Sequence, residues 1–286
     1  MDAMPELRMP RPLGVVIHPM SVVDPAAILG RDVRIGPFCT VGPDVVIEDG
    51  VELISHVVVD GHTRIGAGAR LFPFCSVGLA PQDLKYRGEP TRCEIGARTQ
   101  VRENCTIHRG TATGRGVTTV GDDCMLMAVV HVAHDCVIGD GVIIANNVVM
   151  GGHVQIGDHA VIGGGAAIHQ FVRIGRGAMI GGISGAGGDV IPFGTVLGNR
   201  GRLASLNVIG LRRRGFDRAA VVTLHAAFDL MFKGEGVFSH RLEEARARYG
   251  AHPLVAELLS FIDQRGRRGL IRTQWTRPDA EDFAAD

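Results

Sequence analysis

The feature that most constrains this chain is an aliphatic residue at every sixth position. One run holds Ile17, Val23, Leu29, Ile35, Val41, Ile47, Leu53, Val59, Ile65, Leu71 and Val77; a second holds Val120, Leu126, Val132, Ile138, Ile144, Met150, Ile156, Ile162, Ile168, Ile174 and Ile180. A helical face repeats every 3.6 residues and a half-buried strand every two, so neither produces a six-residue period sustained this long. The hexapeptide repeat of a parallel β-helix does. In its left-handed form three hexads make one triangular coil, the aliphatic residue of each hexad points inward, and small residues turn the corners. Residues 18 apart then lie one above the other at about 4.8 Å, the spacing of paired strands.

The expected fold is therefore mainly β: a left-handed parallel β-helix over residues 15–201, an α-helical region over 202–272, and flexible ends at 1–14 and 273–286. The register breaks at 78–94 and again at 108–119, after which it restarts one residue out of phase at Val120. Chain that leaves a stacked core lies at the surface, which makes both breaks candidate functional loops. After Ile180 the hexads fade. Asp217 caps a run with Val221, Leu224, Phe228 and Met231 on one face, Ser239 starts a charged helix ending at Gly250, and Pro253 opens a third through Leu258 and Ile262. A helical cap of this kind would cover the open edge of the last coil.

Thirty basic and thirty acidic residues give zero formal net charge, so no global field favours nucleic acid or an anionic membrane. No stretch has the apolar length of a membrane span, and the N-terminal residues lack the apolar core of a secretory signal. The expected location is cytoplasmic. Six cysteines with no CxxC pair read as reduced, core-filling thiols.

Within the second run lies His131-Val132-Ala133-His134-Asp135. The 18-residue rule stacks His134 under Gly152 and Asp135 under His153. A histidine below a glycine leaves room for a reacting group and a bare backbone N–H, which is a general base and an oxyanion donor in one column. Asp135 orients the imidazole only if the corner bends the chain, because neighbours on an extended strand point opposite ways. His108, at the lip of the second break, and His153 and His169 extend the polar set. Asp83 and Lys85, in the first break, read either as a solvated loop or as a lid over an anionic substrate. Arg212-Arg213-Arg214 reads either as a helix end facing its dipole or as a diphosphate clamp.

At these residues the chain resembles the UDP-N-acetylglucosamine O-acyltransferases that begin lipid A biosynthesis. The matching pieces are IGPFCTVGP, SHVVVDGHTRIG, QDLKYRGEPT, TIHRGT, HVAHDC, GGHV, HQF, GLRRRGF and RGLIR, in order along the chain. The resemblance implies a homotrimer with active sites between subunits, moving a 3-hydroxyacyl group from acyl carrier protein to the 3-hydroxyl of UDP-N-acetylglucosamine. The donor rides on the carrier's phosphopantetheine, with no other cofactor, no metal, no nucleic acid and no integral membrane association. It makes His134 the general base, Asp135 its partner and Gly152 the oxyanion donor. It places Asp83 and Lys85 at the sugar and acyl chain, and His108, His131, His153, His169 and Gln170 around the nucleotide sugar and acyl group. Asn207, Arg213 and Arg214 fall near the uridine diphosphate, and Gly182, farther along the same wall, becomes the chain-length ruler. Arg241, Arg246 and Arg248 are expected to receive the acidic carrier.

Three rival readings make distinct demands. A trimeric carbonic anhydrase on this fold would bind zinc through His108, His131 and His134, but would leave the QDLKY loop and the arginine cluster without a role. A lipid A N-acyltransferase would carry a separate N-terminal uridine-binding domain, whereas the coils here start at Ile17. A noncatalytic trimeric scaffold would tolerate loss of His134.

Overall fold

The computed structural model describes residues 14–273, so the expected N-terminal extension and tail lie outside it apart from Gly14 and Thr273. Among the described residues the strands, most only two residues long, gather into three sheets of eleven, nine and eight strands. Every third strand joins the same sheet, in parallel register: Val16 pairs with Arg34, Val22 with Thr40 and Ile28 with Val46, each partner standing three hexads farther along the chain. The result is a triangular prism wound from successive coils. Its interior is the sixth-position set: Ile35, Val41, Ile47, Leu53, Leu126, Val132, Ile144 and Ile162 are all at most 2% exposed. Close stacking of aliphatic layers explains why the chain needs so few aromatic residues in the coils.

The corners set the positions of side chains. Non-glycine residues take left-handed φ there, in vertical series: Asp123 and His159 on one edge, Phe38, His56, Phe74, Asn104, Val129, Asn147 and Ile183 on a second, and Asp135, His153 and Phe171 on the third. A left-handed residue breaks strand alternation, so consecutive side chains at a corner need not point opposite ways.

The two breaks in register are insertions. Arg70 pairs with Gln100 and Gln100 with Met125, so both coils carry more chain than three hexads. Above the second loop the regular stacking returns, and His131 pairs with Val149. All six cysteines are free and buried.

The last coil turns into an antiparallel hairpin, Gly194–Leu197 with Arg202–Leu206, and the chain then becomes helical. Four helices follow: α1 (Val208–Arg213), α2 (Arg218–Lys233), α3 (Phe238–Tyr249) and α4 (Pro253–Asp263). Asp217 caps α2 through Ala220 N, and Pro253 opens α4. Phe238, one residue before Ser239, begins α3, and no side chain caps it. Leu224, Phe228, Met231, Phe232, Leu258 and Leu259 form the helical core. Helix α4 is tied to the eight-stranded face by Arg176–Glu257 and by Arg173, whose guanidinium lies 4.5 Å from the Phe261 ring centroid. The chain then runs back over the prism, pairing Leu270 with Asp189. No helix among the described residues is long and apolar enough to cross a membrane.

Candidate active site

His134 and Asp135 occupy the third edge, and the corner bends as the pairing requires. Asp135 has φ +61°, which turns its carboxylate back to the neighbouring ring. His134 Nδ1 donates to Asp135 Oδ2 at 2.9 Å; a carboxylate can only accept, so this contact fixes the tautomer and leaves Nε2 as the proton acceptor. One coil above, a Cβ placed on Gly152 would come within 2.6 Å of the His134 ring. Only glycine fits over this imidazole. The Gly152 N–H has no hydrogen-bond partner among the described residues, while its carbonyl accepts from Phe171 N at 3.1 Å.

The second insertion wraps the carboxylate. Asp135, 1% exposed, accepts from Thr111 Oγ1 at 2.6 Å, Thr111 N at 3.1 Å and Gly116 N at 3.1 Å. Burial alone would raise its pKa. The bonds from His134 and Thr111, with the nearby charge of His153, outweigh burial and hold it at about 2.

The other histidines cluster beside this pair. His108 and His131 meet edge to face at 5.1 Å, and His131 Nδ1 shares a 2.7 Å hydrogen bond with Thr106 Oγ1. Burial, then the charges of His131, His134 and Arg109, lowers His108 to about 4. Burial also lowers His131 and His153. Burial thus favours the neutral form of all three rings, which suits them to act as hydrogen-bonding groups. His108 is 6% exposed and its Nδ1 has no partner among the described residues, a demand that a bound polar group would meet.

His153 meets His134 edge to face at 5.1 Å and stacks on Phe171 at 4.5 Å and 7°; the Arg267 guanidinium lies 4.5 Å from the Phe171 ring centroid. Arg268 donates to the Gln170 carbonyl. Sequence reasoning did not single out Thr111, Phe171, Arg267 or Arg268. Phe171 was reachable, since it stands one regular coil above His153. The arginines come from the returning segment after α4, which no repeat connects to the coil.

The remaining expected residues divide by location. Asp83 is half-buried and its charge acts on His153, whereas Lys85 is exposed and its backbone N–H is held by Asp83 Oδ1. His169 and Gln170 are exposed on the upper third edge, beside a cavity of about 910 Å³ lined by His169, Ala186, Arg200 and Ile271 among others. Gly182 lies on the second edge, across the nine-stranded face from Gly152's column, and a Cβ there would meet only Gly164 O at 3.4 Å.

Asn207 and Arg214 pack on the first edge at Gly177, and exposed Arg213 ends α1 beside Arg214. Asn207 Nδ2 donates to Gly177 O and its Oδ1 caps α1 through Gly210 N. Arg214 lies over Gly177, its pKa lowered by burial and then by Arg176, and its buried Nη1 has no partner among the described residues. The carrier-docking expectation for the helices fails at Arg241, which is buried and donates to Gly234 O, while Arg246 and Arg248 are paired with Asp263 and Glu244.

Two alternative chemistries fit this site poorly. Burial, followed by the Asp135 charge, pushes the Cys136 thiol up to about 12, so it is not a ready nucleophile. The metal-ligating atoms found within 4.8 Å of one another belong to His134, Asp135 and His153, not to His108 and His131. Asp135 Oδ2 already accepts from Thr111 and His134, which suits an orienting carboxylate better than a metal ligand.

Comparison with known proteins matches both halves of the molecule. Residues 118–152, which contain His134 and Gly152, match the bacterial transferase hexapeptide model of six repeats; residues 189–271 match domain 2 of the UDP-N-acetylglucosamine O-acyltransferases. An acyl-[acyl-carrier-protein]–UDP-N-acetylglucosamine O-acyltransferase of Azorhizobium caulinodans is 50% identical over 89% of this chain and 94% of its own length. The protein of the same description from Bartonella quintana is 46% identical over 89% and 93%. The solved structure of LpxA from Acinetobacter baumannii superposes with a TM-score of 0.87 at 41% identity, covering 90% of this chain and all of that one. Matched by relatives 46% and 50% identical along nine-tenths of its length, this left-handed β-helix belongs to the acyl-[acyl-carrier-protein]–UDP-N-acetylglucosamine O-acyltransferase family.

Proposed function

We propose that this protein transfers a 3-hydroxyacyl group from acyl carrier protein to the 3-hydroxyl of UDP-N-acetylglucosamine, the opening step of lipid A biosynthesis, with His134 as general base. The observation that carries the reading is the column in which Asp135 holds His134 Nδ1 while Gly152 leaves the ring's upper side clear. Nε2 takes the acceptor hydroxyl's proton as that oxygen attacks the thioester carbonyl carbon. The Gly152 N–H receives the resulting oxyanion. Collapse of the tetrahedral species breaks the carbon–sulfur bond, and the imidazolium returns its proton to the leaving thiolate, so no acyl-enzyme forms.

Neutral His108, His131 and His153 suit an uncharged sugar and amide, with Asp83 and Lys85 closing over them and His169 and Gln170 above. Asn207, Arg213 and Arg214 take the diphosphate. Because they stand on a different edge from His134, a substrate reaching both sets needs edges of two copies, which favours a homotrimer with clefts between subunits. Gly182, open above Gly164, admits a long chain such as 3-hydroxymyristoyl. A reaction drawing on acyl carrier protein fits a cytoplasmic location.

The test is transfer to radiolabelled UDP-N-acetylglucosamine from carrier proteins bearing several chain lengths, with His134→Ala alongside. Labelled product is expected from a 3-hydroxyacyl donor, reduced about 10² or more in the variant, the range of a lost general base. No product with any 3-hydroxyacyl donor, or full activity in a folded His134→Ala trimer, would overturn the reading.

A further inference from the structure

The insertion at 108–119 lengthens one coil, and its contacts converge on one carboxylate. We propose that Thr111 is a positioning residue for the transfer reaction, its hydroxyl locking Asp135 Oδ2 onto His134 Nδ1; this rests on His134 being the base.

The two oxygens of Asp135 are held differently. Oδ1 accepts from two backbone donors, Thr111 N and Gly116 N, each at 3.1 Å. Oδ2 accepts from His134 Nδ1 at 2.9 Å and Thr111 Oγ1 at 2.6 Å, with Thr111 N farther off at 3.2 Å. The threonine hydroxyl is thus the short contact to the oxygen that the imidazole uses. Without it Oδ2 keeps only the imidazole and the longer contact from Thr111 N, so the plane of the carboxylate is set less firmly about its soft last torsion and its oxygen tilts away from His134 Nδ1. The surroundings leave the group nowhere else to go. Thr111 is 2% exposed, a Cβ on Gly114 would lie 2.3 Å from Asp135 Oδ2, and the Asp135 N–H is held by Thr118 Oγ1 at 2.8 Å. A short hydrogen bond between a hydroxyl and a buried carboxylate is among the stronger neutral-to-charged contacts available, so it can set an orientation on its own.

A packing role and a positioning role make opposite demands on this side chain. Valine keeps its shape and loses the hydroxyl; serine keeps the hydroxyl and loses a methyl. The experiment measures kcat and both KM values for Thr111→Val, Thr111→Ser and His134→Ala in the trimeric protein, with melting curves and the ring nitrogen resonances of ¹⁵N-histidine-labelled samples. Positioning predicts a kcat about tenfold or more lower in Thr111→Val, with KM for donor and acceptor within about twofold, and near-normal rates in Thr111→Ser. It also predicts that the His134 Nδ1–H signal shifts or broadens with valine and is retained with serine. If Thr111→Val does not fold, Thr111→Cys, of similar size and a weaker donor, carries the same expectation. A kcat within twofold of wild type in Thr111→Val, or equal impairment in Thr111→Ser, overturns the inference. Full activity in His134→Ala instead overturns the base assignment beneath it, so the two failures are distinguishable.

Discussion

Gly152→Ala tests the active-site column most directly. The added methyl carbon would stand 2.6 Å from His134 Cε1, 2.8 Å from Nε2 and 3.1 Å from Nδ1. Unstrained carbon contacts lie at roughly 3.5–4.0 Å, so the ring has to retreat by about 1 Å. It is tethered on its other side by the 2.9 Å bond to Asp135, whose carboxylate is enclosed by the insertion. Retreat therefore either breaks that bond or opens the coil. Gly152 does not occupy left-handed φ, so alanine adds no backbone strain and the whole effect comes from the collision. A displacement of this size at a reacting group costs roughly 10²-fold in rate, and overpacking of a buried site roughly 1–3 kcal/mol of stability. Steady-state transfer assays and thermal melting read the two quantities separately. Gly187→Ala is the control, since a methyl there meets nothing within 4 Å. A folded Gly152→Ala enzyme with wild-type kcat would refute the reasoning, because no reacting imidazole could then occupy the space below residue 152.

Other perturbations follow from the same geometry. The Asp135 carboxyl is held at about 2 against an ordinary value near 3.9, so its ionised form contributes roughly 2 kcal/mol, present above about pH 4 and lost as pH falls through 2. Asp135→Asn is expected to lower both stability at pH 7 and kcat, with the stability gap narrowing in denaturant titrations near pH 3. His108, held at about 4 mainly by burial, makes the unfolded chain the better proton acceptor below its ordinary value near 6.5. Stability should fall by roughly 2 kcal/mol between pH 7 and 5, and His108→Gln should flatten that slope in paired melts; an unchanged slope would count against a neutral buried ring. Gly182→Met places a long side chain where only Gly164 O is near, and should cut use of a long-chain 3-hydroxyacyl donor by tenfold or more while sparing a shorter one, read by competing the two donors in one assay.

The coil was legible because one hexad specifies one strand and one corner, and each inward aliphatic residue repeats the message. The 18-residue rule brought His134 beneath Gly152 and Asp135 near His153 without coordinates, since no insertion separates them. It would have failed lower down, where the two loops lengthen the coils between Arg70, Gln100 and Met125. Asp135 marks the limit within the site itself. Alternation on a strand argues against its reaching His134, and only the left-handed corner, which is a backbone property, reverses that.

Residues such as Thr111 and Arg267 were beyond periodicity for a different reason. Thr111 sits in an insertion with no repeat, and its value comes from folding back over a carboxylate on the next coil. Arg267 reaches Phe171 on a chain that has first passed through four helices. The basic helix residues divide in the same way: the acidity expected of the carrier pointed to Arg241, Arg246 and Arg248 alike, yet packing buries Arg241 and leaves the other two at the surface in ion pairs with Asp263 and Glu244.

What the sequence determined alone is the prism, its sense of stacking, and which histidine lies under which glycine, because short-range periodic burial dictates those relations locally. What only the tertiary structure decided is how Asp135 is aimed, which loop encloses it, and that Arg214 and His134 stand on different edges. Those depend on corner geometry and on contacts between segments far apart in the chain, where no residue pattern encodes the distance.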